Sequence, residues 1–233
     1  MKLSIIIPCY NEEKDIAKNV DIVLKYLHDN KIKAEVIVVS DGSKDNTYNV
    51  IKSIKGIRAL GYETNRGKGG AVKYGIEHAS GDYILFMDAD LSTNLDAIKE
   101  VMKNVGTYDF IIGSRHHINS KIEVKQPASR RFIGKMCRKI VNHKFHLKLN
   151  DTQCGFKAIR LECAKKIIAK QQIENFAFDV EYIYIAKLLD MSMVEIPVRW
   201  KDDRTSTVSP LKSSMKFFKD LKRIKKNTDL YLK

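Results

Sequence analysis

The chain has 233 residues, of which 44% are hydrophobic, which is enough to bury the core of one α/β domain or of one domain with an appendage. Its formal net charge of +14 is concentrated in residues 121–149 and 201–233, while the rest of the chain is balanced. No stretch approaches the roughly 18–20 apolar residues that span a bilayer, and the N-terminal apolar run is too short for a signal peptide.

The first 115 residues alternate strand and helix patterns. Continuous apolar or β-branched runs predict strands, and apolar residues at helical spacing predict helices between them. The predicted strands are residues 3–8, 34–40, 57–62, 83–87 and 110–113, and the predicted helices are residues 12–29, 71–79 and 95–104. This alternation predicts an α/β fold with a wound, mostly parallel sheet and helices on both faces.

The remainder of the chain is less regular. It predicts a partly amphipathic basic segment, two helices, a strand and a C-terminal helix, at residues 125–149, 161–170, 176–189, 194–200 and from Leu211 onward. We divide the chain into one domain over residues 1–200, whose halves meet near residues 115–116, and a basic amphipathic tail over residues 201–233.

A polar cluster follows each of the first five predicted strands. In chain order the clusters are PCYNEE, SDGS, NRGKGG, DAD and GSR. Ligands of wound parallel sheets bind outside the carboxyl ends of the strands. Because those ends meet at one edge, the five clusters predict one shared binding site.

Two aspartates, Asp88 and Asp90, directly follow the fourth predicted strand. They share a face if the strand continues to residue 90, and two carboxylates so close need a cation or a proton between them. Mg²⁺ and Mn²⁺ prefer oxygen ligands and are commonly held by carboxylates together with substrate phosphates. The pair therefore predicts a site for a metal-bound diphosphate, with a solvated loop or a helix cap as the alternative.

Three further strand ends carry candidate ligand-binding groups. Asp41 is placed to accept hydrogen bonds from a base or a ribose, and Arg115 is placed to face a diphosphate. The glycines of NRGKGG resemble a phosphate loop but match neither GxxxxGK[ST] nor GxGxxG after a first strand. A tight strand-to-helix turn is the alternative for these glycines.

Seven motifs in this order resemble the family 2 inverting glycosyltransferases with the GT-A fold, most closely the polyprenyl-phosphate (dolichyl-phosphate-type) β-glucosyltransferases. The motifs, spread over residues 3–200, are IIIPCYNEE, VIVVSDGSKDNT, NRGKGGAVKYGI, ILFMDAD, IIGSR, DTQCGFK and FAFDVEYIYIA. The resemblance implies metal-dependent transfer of a hexose, glucose above all, from a UDP-sugar to a polyprenyl phosphate, with Mg²⁺ or Mn²⁺ as cofactor. Transfer to a saccharide or cell-wall polymer hydroxyl is the alternative.

The resemblance also implies a role for each matching residue. The nucleotide-sugar site comprises Pro8, Tyr10, Glu12, Asp41, Lys68, Asp88 and Asp90, with Asp88 and Asp90 holding the metal. The catalytic group comprises Asp90, Arg115, Asp151 and Asp179. The acceptor site comprises Arg131, Gln153, Glu181 and Arg204, the last in place of a lysine that the family carries in that loop.

The nature of the acceptor decides whether a base is needed. A lipid monophosphate is already anionic at pH 7, so no general base is strictly required. A hydroxyl acceptor would require a carboxylate base, with Asp151 or Asp179 as candidates. The excess of Lys and Arg favours the phosphate acceptor.

Two basic amphipathic segments, over residues 130–141 and 211–226, predict contact with an anionic membrane surface. For either segment the alternative is a helix whose apolar side faces the core. The apolar residues are Phe132, Ile133, Met136 and Ile140 in the first, and Leu211, Met215, Phe217, Phe218, Leu221 and Ile224 in the second. We expect a cytoplasmic enzyme with reduced cysteines, bound peripherally to the cytoplasmic face of a membrane. A nucleic-acid partner is not expected, because aromatic stacking patches are absent.

Overall fold

The structure, a computed structural model, describes residues 2–124, 126–202 and 210–233. The strands are β1 Leu3–Cys9, β2 Ala34–Asp41, β3 Arg58–Tyr62, β4 Tyr83–Phe86, β5 Phe110–Ser114, β6 Lys121–Val124, β7 Lys157–Arg160, β8 Met193–Pro197 and β9 Arg199–Lys201. The helices are α1 Ile16–Asp29, α2 Thr47–Ser53, α3 Lys68–Glu77, α4 Ala97–Asn104, α5 Ala128–Phe145, α6 Leu161–Lys170, α7 Phe178–Leu188, α8 Pro210–Lys226 and α9 Thr228–Leu232.

Seven of the strands form one sheet in the order β3-β2-β1-β4-β7-β5-β8, and β6 pairs with β9 in a separate ribbon. Strands β1 to β4 run parallel to one another, as do β5 and β8. The predicted wound, mostly parallel sheet is confirmed. Each of the first five predicted strands is present within one or two residues of its predicted bounds.

Strand β7 lies antiparallel between β4 and β5 and was missed by the sequence analysis. Its four residues, KAIR, are too few to show a pattern. The predicted strand at residues 194–200 is also corrected, because it divides into β8 and β9. Since β7 and β8 join the sheet begun by β1 to β5, the two halves of the chain are interleaved.

The core has two layers, one on each face of the sheet. Along β1 the side chains alternate, so Ile5 and Ile7 enter one layer and Ile6 enters the other. The layer around Ile5 and Ile7 is completed by α1, α2 and α4. The layer around Ile6 is completed by α3 and by α5 to α9. Helices therefore cover both faces of the sheet.

The C-terminal helices are part of this core rather than a separate tail. Phe217, Leu221 and Ile224 of α8 and Tyr231 of α9 are buried in the layer around Ile6. The prediction that these α8 residues contact a membrane is wrong, because they are buried against the sheet. That burial explains the amphipathic pattern of the helix. Arg204 lies outside the described residues. In the described parts of the chain, no helix combines the length and apolar content needed to cross a bilayer.

A buried carboxylate ties α9 to the centre of the molecule. Glu181 of α7 is 0% exposed and accepts hydrogen bonds from the backbone N–H groups of Gln172 (2.8 Å) and Ile173 (2.9 Å) and from the hydroxyl of Tyr231 (2.6 Å). Burial raises the pKa of the Glu181 carboxyl. The predicted acceptor-binding role of Glu181 is wrong, because its carboxylate is enclosed in the core and bonded to this chain.

We expect Tyr231→Phe to destabilise the protein. The substitution removes one donor from a buried carboxylate, so the free energy of unfolding should fall by about 1–3 kcal/mol in urea denaturation. Tyr10→Phe is the control, since Tyr10 is 41% exposed and should leave the midpoint unchanged. An unchanged midpoint in Tyr231→Phe would contradict the anchoring role of this hydrogen bond.

Candidate active site

The loops after β1 and β2 are joined to each other by hydrogen bonds. Asn11 adopts a left-handed conformation (φ 54°), which asparagine tolerates better than most residues. Its backbone N–H donates to Ser43 Oγ (3.1 Å), and its side-chain oxygen accepts from the Lys44 N–H (2.8 Å). This contact fixes the position of the flanking residues Tyr10 and Glu12. Pro8, predicted to contact the nucleotide, is buried within β1.

Asp41 at the end of β2 organises the loop that follows β3. Its carboxylate accepts hydrogen bonds from the Tyr62 hydroxyl (2.7 Å) and from the N–H groups of Arg66 and Gly67 (both 2.9 Å). The residue is 4% exposed. The donors that Asp41 receives in this structure come from its own chain, and the predicted contact with a base or ribose stays a prediction.

The glycines of NRGKGG allow a close approach between two segments. A Cβ on Gly67 (φ 100°) would lie 2.7 Å from Glu174 O, and one on Gly69 would lie 2.6 Å from Phe178 Cβ. The Gly70 N–H also donates to Glu174 O (3.0 Å). The glycines thus let the segment before α7 pack against the first turn of α3. That packing places Lys68, the first residue of α3, at the sheet edge.

The carboxylates of Asp88 and Asp90 lie in a turn, because β4 ends at Phe86. The strand does not continue to residue 90, so the condition under which the two carboxylates share a strand face is not met. Asp88 Oδ1 accepts a hydrogen bond from Lys68 Nζ at 2.5 Å. Asp90 Oδ1 accepts from the backbone N–H (2.9 Å) and the hydroxyl (2.5 Å) of Ser92, a local turn contact typical of aspartate. The Lys68 ammonium therefore balances the charge of Asp88.

Gly155, in the DTQCGFK segment, leaves room for the Asp88 carboxylate because glycine has no side chain. A Cβ at position 155 would lie 1.9 Å from Asp88 Oδ2, a separation that real atoms do not adopt. One oxygen of Asp88 therefore contacts Lys68 and the other lies against the Gly155 backbone. Gly155 was recognised from the sequence only as part of a motif. Its contact with Asp88 could not be predicted, because the two residues are distant in sequence.

Arg115 and Asp151 form a bidentate ion pair at the end of β5. Arg115 Nε lies 2.7 Å from Asp151 Oδ2 and its Nη2 lies 3.0 Å from Oδ1, while its guanidinium lies 5.5 Å from the ring centroid of Trp200. Burial alone would raise the pKa of the Asp151 carboxyl, but the Arg115 charge and hydrogen bonds hold it well below its usual range. The Gln153 N–H also donates to Asp151 (3.1 Å). Asp151 is thus a poor base.

A second buried pair joins Lys157 of β7 to Asp179 of α7. Lys157 is 0% exposed, and its Nζ lies 2.6 Å from Asp179 Oδ1 and also donates to the carbonyl oxygen of Cys154. Lys157 was not predicted as a site residue, because nothing in KAIR indicates a fully buried cation. The carboxylate of Asp179, predicted to be catalytic, is bonded to this ammonium.

The basic helix α5 carries Arg131, predicted to bind the acceptor, and a second arginine near the site. Arg131 is exposed on its first turn. Two turns later, the half-buried Arg138 lies close enough to His116 to act on it electrostatically. Burial first, and then the Arg138 charge, lower the pKa of His116, the residue that follows Arg115. Arg138 is therefore a second cation of α5 that acts on the residue beside Arg115.

The acidic turn fits a divalent cation that arrives with its own oxygen ligands. Among the described residues, no cluster of three His, Cys, Asp or Glu side chains has the geometry to hold a metal unaided. Asp88 and Asp90 offer hard carboxylate oxygens, which suit Mg²⁺ or Mn²⁺, and phosphate oxygens of a ligand would complete such a site. The arrangement is suited to binding a nucleoside diphosphate through a metal.

Comparison with known proteins agrees with this geometry. Glycosyl transferase family 2 matches residues 4–168. A dolichyl-phosphate beta-glucosyltransferase of Dictyostelium discoideum is 35% identical, over 96% of this chain and 73% of its own length. One of Homo sapiens is 33% identical, over 94% and 74%.

Among solved structures, glucosyl-3-phosphoglycerate synthase from Mycobacterium tuberculosis aligns with a TM-score of 0.71 at 16% identity, covering 96% of this chain and 78% of that protein. That enzyme was crystallised with Mn²⁺, UDP and glucosyl-3-phosphoglycerate. The motif-based resemblance and the predicted GT-A fold are confirmed. This chain belongs to glycosyl transferase family 2 and is a glycosyltransferase.

Proposed function

We propose that this enzyme transfers a hexose, glucose above all, from a UDP-sugar to the phosphate of a polyprenyl phosphate, with Mg²⁺ or Mn²⁺ at Asp88 and Asp90. The names of the curated relatives, which refer to glucosyl transfer to dolichyl phosphate, support this substrate pair. The observation that carries the proposal is that each of the two candidate bases is bonded to a cation. These candidates are the carboxylates of Asp151 and Asp179.

A bound carboxylate is a weak acceptor of a proton. Asp151 shares both oxygens with Arg115, and its pKa is held low, while Asp179 is bonded to the fully buried Lys157. Asp151 is therefore not poised to deprotonate a hydroxyl near pH 7, and Asp179 is engaged in its ion pair. A phosphate acceptor is ionised before it reaches the site. Such an acceptor needs cations to bring it beside the diphosphate, and this chain supplies them.

The reaction places negative charge on the departing UDP. Asp88 and Asp90 would hold the divalent cation, which would supply positive charge to stabilise the departing diphosphate. Asp151 and the Trp200 ring hold the Arg115 guanidinium at the end of β5, within electrostatic range of Asp88. A cation fixed before the reaction begins stabilises the developing charge without further reorganisation.

We expect transfer of glucose from UDP-glucose to undecaprenyl or dolichyl phosphate and not to the corresponding alcohol. Product is measured by thin-layer chromatography of radiolabelled lipid. Asp90→Ala should lower the rate by about a hundredfold or more, because one carboxylate ligand of the metal is lost. Asp96→Ala, at an exposed position on the surface, is the matched control. Transfer to alcohols or saccharides but not to lipid phosphate would contradict the proposal.

We expect Gly155→Ala to weaken binding of UDP with Mn²⁺ at least about tenfold while the protein stays folded, because the new methyl group would displace the Asp88 carboxylate. Isothermal titration calorimetry measures the affinity. Gly134→Ala in α5 is the control, since nothing lies within 4 Å of its Cβ position and alanine favours a helix. Equal affinity in Gly155→Ala and the parent protein would exclude Asp88 from the site.

A lipid substrate requires access to a membrane, and α5 carries a surface suited to one. We define the α5 stripe as Phe132, Met136 and Ile140, which are spaced four residues apart on one helix face and are 69%, 44% and 37% exposed. Arg131, Lys135 and Lys139 each precede one of them and are exposed. Ile133, predicted to join this face, packs partly against the core instead.

The α5 stripe continues into a basic groove between α5 and α8. The groove is lined by Lys139, Ile140, His143, Lys144, His146 and Lys225, so Ile140 belongs to both surfaces. Exposed apolar side chains beside clustered cations complement an anionic bilayer, which offers acyl chains beneath negative headgroups. We therefore assign this face to peripheral binding of an anionic membrane, on its cytoplasmic side. The free cysteines Cys9, Cys137, Cys154 and Cys163 agree with a reducing compartment.

We expect the protein to cosediment with vesicles containing phosphatidylglycerol and to be released by salt, because the cations act through screened electrostatics. Replacing Phe132, Met136 and Ile140 together by Ser should reduce the bound fraction severalfold. Ile22→Ser, which changes an exposed apolar residue of α1, should have no effect. Undiminished binding of the triple variant would assign membrane contact to another surface.

A further inference from the structure

We propose that Lys68 is the resident counter-ion of Asp88 and is exchanged for the divalent cation when the nucleoside diphosphate arrives. In this scheme the metal binds weakly alone and tightly with its nucleotide. The inference rests on the proposed function, because it takes Asp88 as a metal ligand. It adds a role for Lys68 that the motif resemblance does not supply.

Lys68 holds one oxygen of the Asp88 carboxylate, and the other lies beside Gly155. Oδ2 lies against the backbone of Gly155, where even one added carbon would be 1.9 Å away. Oδ1 faces Lys68 Nζ at 2.5 Å. A divalent cation bound at Oδ1 would therefore meet the ammonium that already contacts this atom.

An ammonium and a divalent cation cannot share that oxygen without strong repulsion, since both are positive and would be only a few ångströms apart. Lysine is positively charged at neutral pH, so the repulsion persists there. Metal binding therefore requires Lys68 to leave Asp88.

The diphosphate supplies Lys68 with a new partner. Lys68 is the first residue of α3, a ten-residue helix whose N-terminus faces the sheet edge and favours anions. Its side chain is flexible and can transfer from a carboxylate oxygen to a phosphate oxygen in the same region. When the metal and the nucleotide bind together, Asp88 is the partner of the metal and the diphosphate is the partner of Lys68, so each cation has an anionic partner. When metal enters alone, the ammonium loses its partner, so the two ligands must favour each other's binding.

The test is a Mn²⁺ titration of the full chain, followed by the electron paramagnetic resonance signal of free Mn²⁺, with and without UDP. We expect UDP to tighten Mn²⁺ binding to the parent protein at least about tenfold. In Lys68→Met, which keeps the length of the side chain without the charge, Mn²⁺ alone should bind about tenfold tighter than to the parent, and the effect of UDP should shrink correspondingly.

Two further variants serve as controls. Lys68→Arg keeps a positive charge and should retain the weak binding of Mn²⁺ alone. Lys103→Met removes a lysine from a surface ion pair with Glu100 (2.7 Å) and should behave as the parent protein does. Circular dichroism checks that each variant is folded.

The outcomes separate this inference from the proposed function. If the parent protein with UDP binds no Mn²⁺, the metal site and the proposed function both fail. If the parent forms the Mn²⁺–UDP complex but Lys68→Met binds Mn²⁺ alone no better, the exchange role of Lys68 is overturned while the proposed function stands. Tighter binding in Lys68→Met together with parent-like Lys68→Arg supports the exchange.

Discussion

The position of the Asp88 carboxylate at the end of β4 is the constraint on which the rest of the site depends. One oxygen lies against Gly155 and the other contacts Lys68, so three segments distant in sequence must meet within a few ångströms. β7 makes this possible, because its first residue, Lys157, pairs with Phe86 at the end of β4 and so brings the preceding Gly155 close to Asp88. The glycines on either side of Lys68 also contribute. They let the first turn of α3 pack closely against α7 and the segment before it, and this packing brings Lys68 to Asp88.

Two further ion pairs, similar to the one between Asp88 and Lys68, lie at the same edge of the sheet. Asp151 meets Arg115, and Asp179 meets Lys157. Each cation is partly or wholly withdrawn from water, where an unpaired charge would be costly. The result is a surface on which three carboxylates are each paired with a cation that is held in place. Such a surface is better suited to bringing two phosphate-bearing molecules together than to removing a proton from a hydroxyl, which is why the acceptor is proposed to be a phosphate.

Much of the fold follows from the sequence because apolar runs such as SIIIP and EVIVV indicate buried strands without ambiguity. The convergence of five polar clusters follows from the parallel arrangement of those strands. What could not be predicted depends on contacts between distant segments. A sequence does not reveal whether Asp41 or Glu181 accepts hydrogen bonds from a ligand or from its own backbone, and both accept from their own chain here. Likewise the amphipathic pattern of α8 fits a membrane or a core equally well, and the core contains it.

A crystal of the full chain grown with Mn²⁺ and UDP would test the central claim most directly. We expect an anomalous Mn²⁺ peak about 2.0–2.3 Å from carboxylate oxygens of Asp88 and Asp90 and from diphosphate oxygens, with Lys68 Nζ turned from Asp88 toward the phosphates. A Mn²⁺ peak at any other place, or a diphosphate seated away from the acidic turn, would contradict the account.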